Sequence, residues 1–471
     1  MEFYENKEES NMSAITETAR PANKMGTMPV GKLLINMALP LIASMLVQAL
    51  YNVVDSIYIS RVSESAVTAL SLAFPVQNLL IGFATGIGVG VNSLLSKSLG
   101  ENNRERANLS AGNGFLLVGI VTLAFMAFGA FFARPFYEMQ STVAETVEGG
   151  TAYLAIVCLL SLGVFVEILC ERLLQASGRT FYTMITQGTG AIVNIVLDPV
   201  FIFGYFGVPA MGIAGAAVAT AIGQWIAALL AIYFNLHHNP DIKLTLRVFR
   251  FDSYVVRNIL GVGIPSIIMV GIGSIMNFGV NQILQGFNET ATSVFGIYFK
   301  LQSFFFMPLF GINNAVISIV AFNYGARNPK RIMGTVKLAT AVGLGIMLFG
   351  LAVFQFAPDL LLGIFNPSQE FLEMGRSALR IISFCFPVAA VCIILGSNFQ
   401  ALCNGIYSTI VSLCRQLVVL LPAAYLLSLT GSVHMVWWAW PIAEVMGLSI
   451  TAILFAKLYR QKIKPLFTEE A

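Results

Sequence analysis

Long apolar runs separated by short polar breaks dominate the chain. The breaks predict membrane-spanning helices near 33–59, 67–95, 108–133, 147–174, 180–205, 211–235, 255–284, 292–320, 333–357, 371–399, 405–429 and 434–459. A bilayer span needs roughly 20 apolar residues, and each run supplies them. The runs are continuous rather than alternating, which excludes a transmembrane β-barrel and predicts an all-α polytopic membrane protein of twelve helices. The first run is unusual. Within PLIASMLVQALYNVVDSIYIS, residues Ser44, Gln48, Tyr51, Asn52 and Asp55 recur at helical spacing and share one face. An acid at membrane depth is costly and faces a bundle interior or a wet cavity. The remaining spans are therefore expected to wall such a cavity.

Composition sharpens this picture. The 471 residues are 57% hydrophobic and 11% charged, against about 25% charged in soluble proteins. Of the 27 Lys and Arg, Arg61, Arg134, Arg376 and Arg380 fall on one side and Lys300 and Arg415 within spans; the rest fall on the side of the termini. By the positive-inside rule both termini are cytoplasmic. Residues 1–31 read as a flexible cytoplasmic tail without a cleavable apolar leader, and 461–471 as a second tail. A net charge of +3 carries no sign of nucleic-acid binding. The six cysteines lie in apolar segments without a CxxC pair, so packing is expected of them rather than disulfides or a metal site. No GxxxxGK[ST], HExxH or GxSxG pattern occurs, which argues against a nucleotide-driven pump or an intramembrane enzyme.

The chain also repeats. At an offset of 225, Pro40 falls on Pro265, Asn52 on Asn277, Gln77 on Gln302, Gly86 on Gly311, Gly100 on Gly325, Asn103 on Asn328, Arg106 on Arg331 and Tyr182 on Tyr407. Chance matching of apolar residues does not produce shared Pro, Asn, Gln, Gly and Arg at one offset. The reading is an N-lobe at 32–236, a cytoplasmic linker at 237–254 and a C-lobe at 255–460. Six spans per repeat keep the halves parallel, as in transporters whose lobes rock around a midplane site.

The fifth span carries a second acid, Asp198, one helical turn after Asn194 and followed by Pro199. Proline withdraws an N–H and kinks the helix, so a freed carbonyl beside a carboxylate and an amide makes a cation or proton site. Two carboxylates in one cavity repel, and a proton or sodium ion between them relieves the repulsion. Thr220 in the sixth span is a candidate oxygen ligand. Position 280, opposite Asp55, is valine, while Asn277, Asn281, Gln282, Lys300 and Gln302 remain polar. Ion chemistry is thus expected in the first half and substrate contacts in the second, with Gln48, Tyr51 and Asn52 completing the wall. Pro40, Pro199 and Pro265 are candidate hinges. Glu444 is a further intramembrane acid, and Glu167, Glu171 and Arg172 read as a solvated or locally paired cluster near the cytoplasmic end.

Pro40 to Asp55, GENNR at 100–104, QASG at 175–178, NIVLDP at 194–199 and GAAVAT at 215–220 resemble the multidrug and toxic compound extrusion (MATE) family, in its MepA-like and DinF-like bacterial branch. The resemblance covers about residues 30 to 462. It implies two pseudo-symmetric six-helix lobes forming a V (the MATE/MOP fold) and cation-coupled export of organic cations. The family's first-helix acid matches Asp55, its fifth-helix Asn and Asp match Asn194 and Asp198, and its sixth-helix carbonyl and threonine match Ala216 and Thr220. The resemblance thus implies H+ or Na+ as coupling ion, with a sodium site at Asp55, Asn194, Asp198 and Thr220, no cofactor, and a monomer. Acids on the seventh and tenth helices, the second-lobe coupling site of some members, are replaced here by asparagines and by Glu373 near an outer end. The rival readings are a lipid-linked oligosaccharide flippase, which predicts a basic cavity, and a membrane-embedded enzyme.

Overall fold

The computed structural model describes residues 23–245, 248–365 and 368–469, except the side chains of Asn52, Val53, Ser56, Ser60 and Glu64. The described residues fold into ten long apolar helices and two bent pairs, twelve spans in all. They are α1 (Val30–Ser60), α2 (Glu64–Gly100), α3 (Arg104–Phe131), α4 (Ala144–Leu159 and Leu162–Ala176), α5 (Thr180–Phe203) and α6 (Ile213–His237), then α7 (Ser253–Gln285), α8 (Glu289–Gly325), α9 (Pro329–Phe356), α10 (Gln369–Ser383 and Phe386–Ala401), α11 (Gly405–Ser428) and α12 (Val433–Thr468). Two expected straight spans are therefore bent, α4 by 44° and α10 by 46°. Pro387 opens the second arm of α10, where its missing N–H costs no helical bond.

The offset of 225 is visible in the backbone and its caps. Asn102 and Arg327 both have positive φ, as do Gly178 and Cys403. Ser63 and Asn288 cap α2 and α8, and their side chains bond Glu145 and Glu370. Arg106 Nε donates to Ser98 and Arg331 Nε to Asn323, which are again equivalent positions. Local rules thus act twice on a duplicated frame.

The lobes meet through glycine. Gly86 lies against Gly263 and Ile267 of the other lobe, and Gly311 lies against Ile42 in the equivalent contact. A Cβ on Gly100 would collide with the Phe322 carbonyl, and one on Gly325 with the Lys97 carbonyl. Small residues permit such close backbone approach. Every residue of 86–96 in α2, and nearly every one of 311–323 in α8, is buried, whereas the other ends of both helices are more open. The V is thus closed on the side of the termini and open on the other. Ser93 donates to the Gln400 carbonyl at 2.7 Å and Ser318 to Asn92 at 3.1 Å, pinning the closed end.

Three expectations change here. Residues 23–28 are no loose tail: Met25 is fully buried, and Arg331 donates to the carbonyls of Met25 and Met28 while Asn23 bonds Ser177 and Asp241. Residues 1–22 lie outside the described residues. Residues 461–469 continue as helix, with Lys462 held by Leu402 and Asn404. Arg172, expected in a solvated or locally paired cluster near the cytoplasmic end, is buried; it donates locally to Gln175 and, across the lobes, to Asn314 at 2.9 Å. Each polar group found a partner in a distant segment.

Gly100→Ala forces a collision with backbone, and overpacking of this kind costs about 1–3 kcal/mol. The midpoint of thermal unfolding in detergent should fall for Gly100→Ala and Gly325→Ala. Gly119→Ala, where an added Cβ meets nothing within 4 Å, should hold or rise. Equal responses at the three positions would contradict the packing account.

Candidate functional site

In the first lobe, α5 and α6 cross where both are thin. A Cβ on Gly223 would lie 2.8 Å from the Gly190 carbonyl and 3.4 Å from Asn194 Cβ. This approach sets Asn194 Nδ2 at 3.1 Å from Thr220 Oγ1 and 3.3 Å from Asp198 Oδ1. Ala216 is buried one turn before Thr220 on α6. The helices run through Pro40, Pro199 and Pro265, so all three candidate hinges lie inside helices rather than at their ends. Asp198 is fully buried and Asn194 nearly so, and Asp55 of α1 is half-buried within electrostatic range of Asp198.

The site is rich in acceptors. Asp55 Oδ1, Asn194 Oδ1 and Asp198 Oδ2 are buried and have no hydrogen-bond partner among the described residues. A buried acceptor left unpaired costs roughly 1–3 kcal/mol, more when charged. Oxygens left open in this way suit a proton or a small cation. A cluster of three or more His, Cys, Asp or Glu, as transition metals prefer, is absent among the described residues.

A cavity of about 90 Å³ opens beside this group, lined by Gln48, Tyr51, Glu167, Gln187, Asn194 and Thr220 among others. Gln48 and Tyr51 therefore stand where the polar stripe of α1 placed them; the Asn52 side chain lies outside the described residues. Gln187 and Glu167 were missed as wall residues. Gln187 sits on the face of α5 that carries Asn194 and Asp198, a spacing legible beforehand. It also donates at 2.8 Å to Glu171, which accepts from Thr186 as well and is 3% exposed. A solvated Glu171 is thus ruled out.

The second lobe inverts this arrangement. At the offset of 225, Asp55, Asn194, Asp198 and Thr220 become Val280, Val419, Ala423 and Val445. A cavity of about 250 Å³ lies there, lined by Gln302, Tyr298, Arg415 and Glu444 among others. Gln302 accepts from Tyr298 at 2.7 Å. Asn277, Asn281, Gln282 and Lys300 do not line it; Asn277 and Asn281 are half-buried, and Gln282 and Lys300 are exposed on α7 and α8. A larger cavity, about 810 Å³, lies on the side of the termini; it is lined by motif residues such as Gly100, Arg104, Ser177 and Tyr182 but by none of the candidate ion, substrate or hinge residues.

Thr220→Val keeps the shape and removes the oxygen that holds Asn194. The thermal midpoint should fall, by the roughly 1–3 kcal/mol of an orphaned buried donor, while Thr220→Ser stays near wild type. An unchanged Thr220→Val would sever Thr220 from the site.

A model of the MatE family matches residues 40–200 and 265–426, two segments that begin 225 apart. The multidrug export protein MepA of Staphylococcus aureus (strain MRSA252) is 24% identical over 441 residues, covering 92% of this chain and 95% of its own. The FAD transporter of Shewanella oneidensis is 23% identical over 427 residues, covering 89% and 93%. Among solved structures, a crystal structure of MATE in complex with MaL6 superposes with a TM-score of 0.88 at 24% identity, covering 96% of this chain and all of that one.

Proposed function

The chain belongs to the MatE family, and from that premise we propose that it is a multidrug efflux antiporter of the bacterial plasma membrane, with both termini cytoplasmic. It exports organic, mainly cationic, compounds in exchange for H+ or Na+. The observation that supports this reading is the acceptor-rich first-lobe site, where Asp55, Asn194 and Asp198 each keep a buried oxygen without a donor among the described residues. On this reading the V opens outward, because its closed end bears the termini.

The exchange follows from electrostatics. Unpaired carboxylates at membrane depth repel each other and attract any cation that reaches the cleft. An organic cation relieves the charge from the cleft side, through Gln48, Tyr51 and the wall of α5. A proton or sodium ion relieves it from within, between Asp55, Asn194, Asp198 and Thr220, with the Ala216 carbonyl in reach of a sodium ion. The two compete for one negative charge, so entry of one favours release of the other. Bending of α1 at Pro40 or α5 at Pro199 would narrow the small cavity as the inner ion binds, and Pro265 is the equivalent point in the second lobe. Coupling requires only that ion and drug differ in affinity between the two states. Gln302 meets substrate in the second-lobe cavity, and Asn277, Asn281, Gln282 and Lys300, which stand outside that cavity, meet it during its passage along the second lobe. The working unit is a single chain, and transport uses no cofactor, nucleotide or nucleic acid.

A flippase for phosphate-linked substrates would want a basic cavity. Arg415 is neutralised by Glu444 at 2.8 Å and Arg172 is spent on Gln175 and Asn314, which favours the antiporter. A membrane-embedded enzyme would want a nucleophile beside a base, and the sequence carries no HExxH or GxSxG motif that would supply one.

Ethidium efflux from energised cells tests the reading. Asp198→Asn, at normal membrane expression, should slow efflux by about tenfold or more, whereas Asp359→Asn, exposed beyond α9, should not. Loss on adding a protonophore, or dependence on external sodium, names the ion. Equal efflux from Asp198→Asn and wild type would overturn the first-lobe mechanism.

A further inference from the structure

The second lobe holds polar groups that the proposed exchange does not use. Arg415 of α11 and Glu444 of α12 form one bond, Nη1 to Oε1, at 2.8 Å, with side chains 19% and 13% exposed. Both line the 250 Å³ cavity. Arg415 Nε, Glu444 Oε2 and the neighbouring Gln416 Oε1 are buried without a partner among the described residues. Two lining residues, one cationic and one anionic, thus each keep an unused hydrogen-bonding atom side by side.

The fold itself does not require this pair. The equivalent positions in the first lobe are Gly190 and Ala219, where the same helix contact is made without charge. Two features of the second lobe prepare the pair. Residues Cys414–Leu420 form a π-helical stretch, a distortion that occurs most often at functional sites. Gly447 leaves room for the arginine stem, since a Cβ there would stand 2.9 Å from Arg415 Cδ. A buried ion pair with unused valences is a poor source of stability compared with apolar packing.

We infer that this cavity is a binding site for a small aromatic zwitterion, whose carboxylate meets Arg415 and whose ammonium group meets Glu444. The site has no net charge of its own, so a ligand carrying both poles is desolvated at both ends and paired at both ends. A plain organic cation would leave the guanidinium unpaired, and an anion would leave the carboxylate unpaired. Phe306, Tyr298 and Trp440 along the wall accommodate the ring. The volume limits the ligand to about amino-acid size. The inference does not depend on cation exchange at Asp198.

Binding of tritiated L-phenylalanine to the purified full chain, measured by scintillation proximity, tests it. Asp198→Asn protein serves as a second host, so that loss of first-lobe coupling leaves the result unmoved. Saturable binding is expected in both hosts. L-phenylalanine methyl ester, which lacks the carboxylate, and N-acetyl-L-phenylalanine, which lacks the ammonium, should each compete about tenfold or more weakly. The double variant Arg415→Met/Glu444→Met removes both charges while keeping bulk and should abolish binding at an unchanged thermal midpoint. No saturable binding to wild type would overturn the inference. So would undiminished binding in the double variant, or a methyl ester that competes as well as the parent, which would mark a simple cation site at Glu444.

Discussion

A carboxylate buried at membrane depth must find hydrogen-bond donors, a cation or a proton, and much of this molecule is arranged around how it does so. Water is scarce in the bundle, and desolvating an ion costs several kcal/mol even after relaxation. Each buried acid meets this constraint differently. Glu171 is held by two neutral donors, Thr186 and Gln187. Glu444 has a permanent partner in Arg415. Asp198 has one amide, and Asp55 leaves a buried oxygen unpartnered among the described residues. Charges already satisfied can serve structure; charges left open await something mobile.

The duplicated frame and the divergent polar groups answer to different physics. Glycine contacts, caps and positive-φ turns recur at the offset of 225 because backbones must approach equally closely in both lobes. Side chains facing the cavities carry no such obligation. Asp55, Asn194, Asp198 and Thr220 face apolar counterparts in the second lobe, while Arg415 and Glu444 face Gly190 and Ala219 in the first. The fold is nearly symmetric and its chemistry is not, so the ion site proposed for the first lobe has no counterpart in the second.

Much of this was legible in the sequence, because spans, repeat and intramembrane acids depend on local pattern. Continuous apolar runs located the helix ends to within about five residues, save the far end of α12, and helical spacing put Asn194 and Asp198 on one face. What escaped depends on distant partners. Arg172 looks like a loop charge until Asn314 is brought to it from the other lobe. Residues 23–28 look like tail until Arg331 takes up their carbonyls. The bends in α4 and α10 have no common sequence marker, since a proline opens the second arm of α10 and none opens that of α4. Lys300, a candidate substrate contact because it is a charge within an apolar span, stands exposed on α8 and outside the 250 Å³ cavity.

The central claim is that substrate and coupling ion compete for the negative charge at Asp55 and Asp198. Linkage makes this measurable without transport, because a substrate that displaces a bound proton must release it. The direct measurement is proton release on adding ethidium to purified protein in weakly buffered detergent solution, repeated with sodium present. Proton coupling predicts release from wild type and none from Asp198→Asn, whereas sodium coupling predicts that sodium weakens ethidium binding in wild type alone. Ethidium binding that releases no proton and ignores sodium, or behaves alike in wild type and Asp198→Asn, would contradict the account.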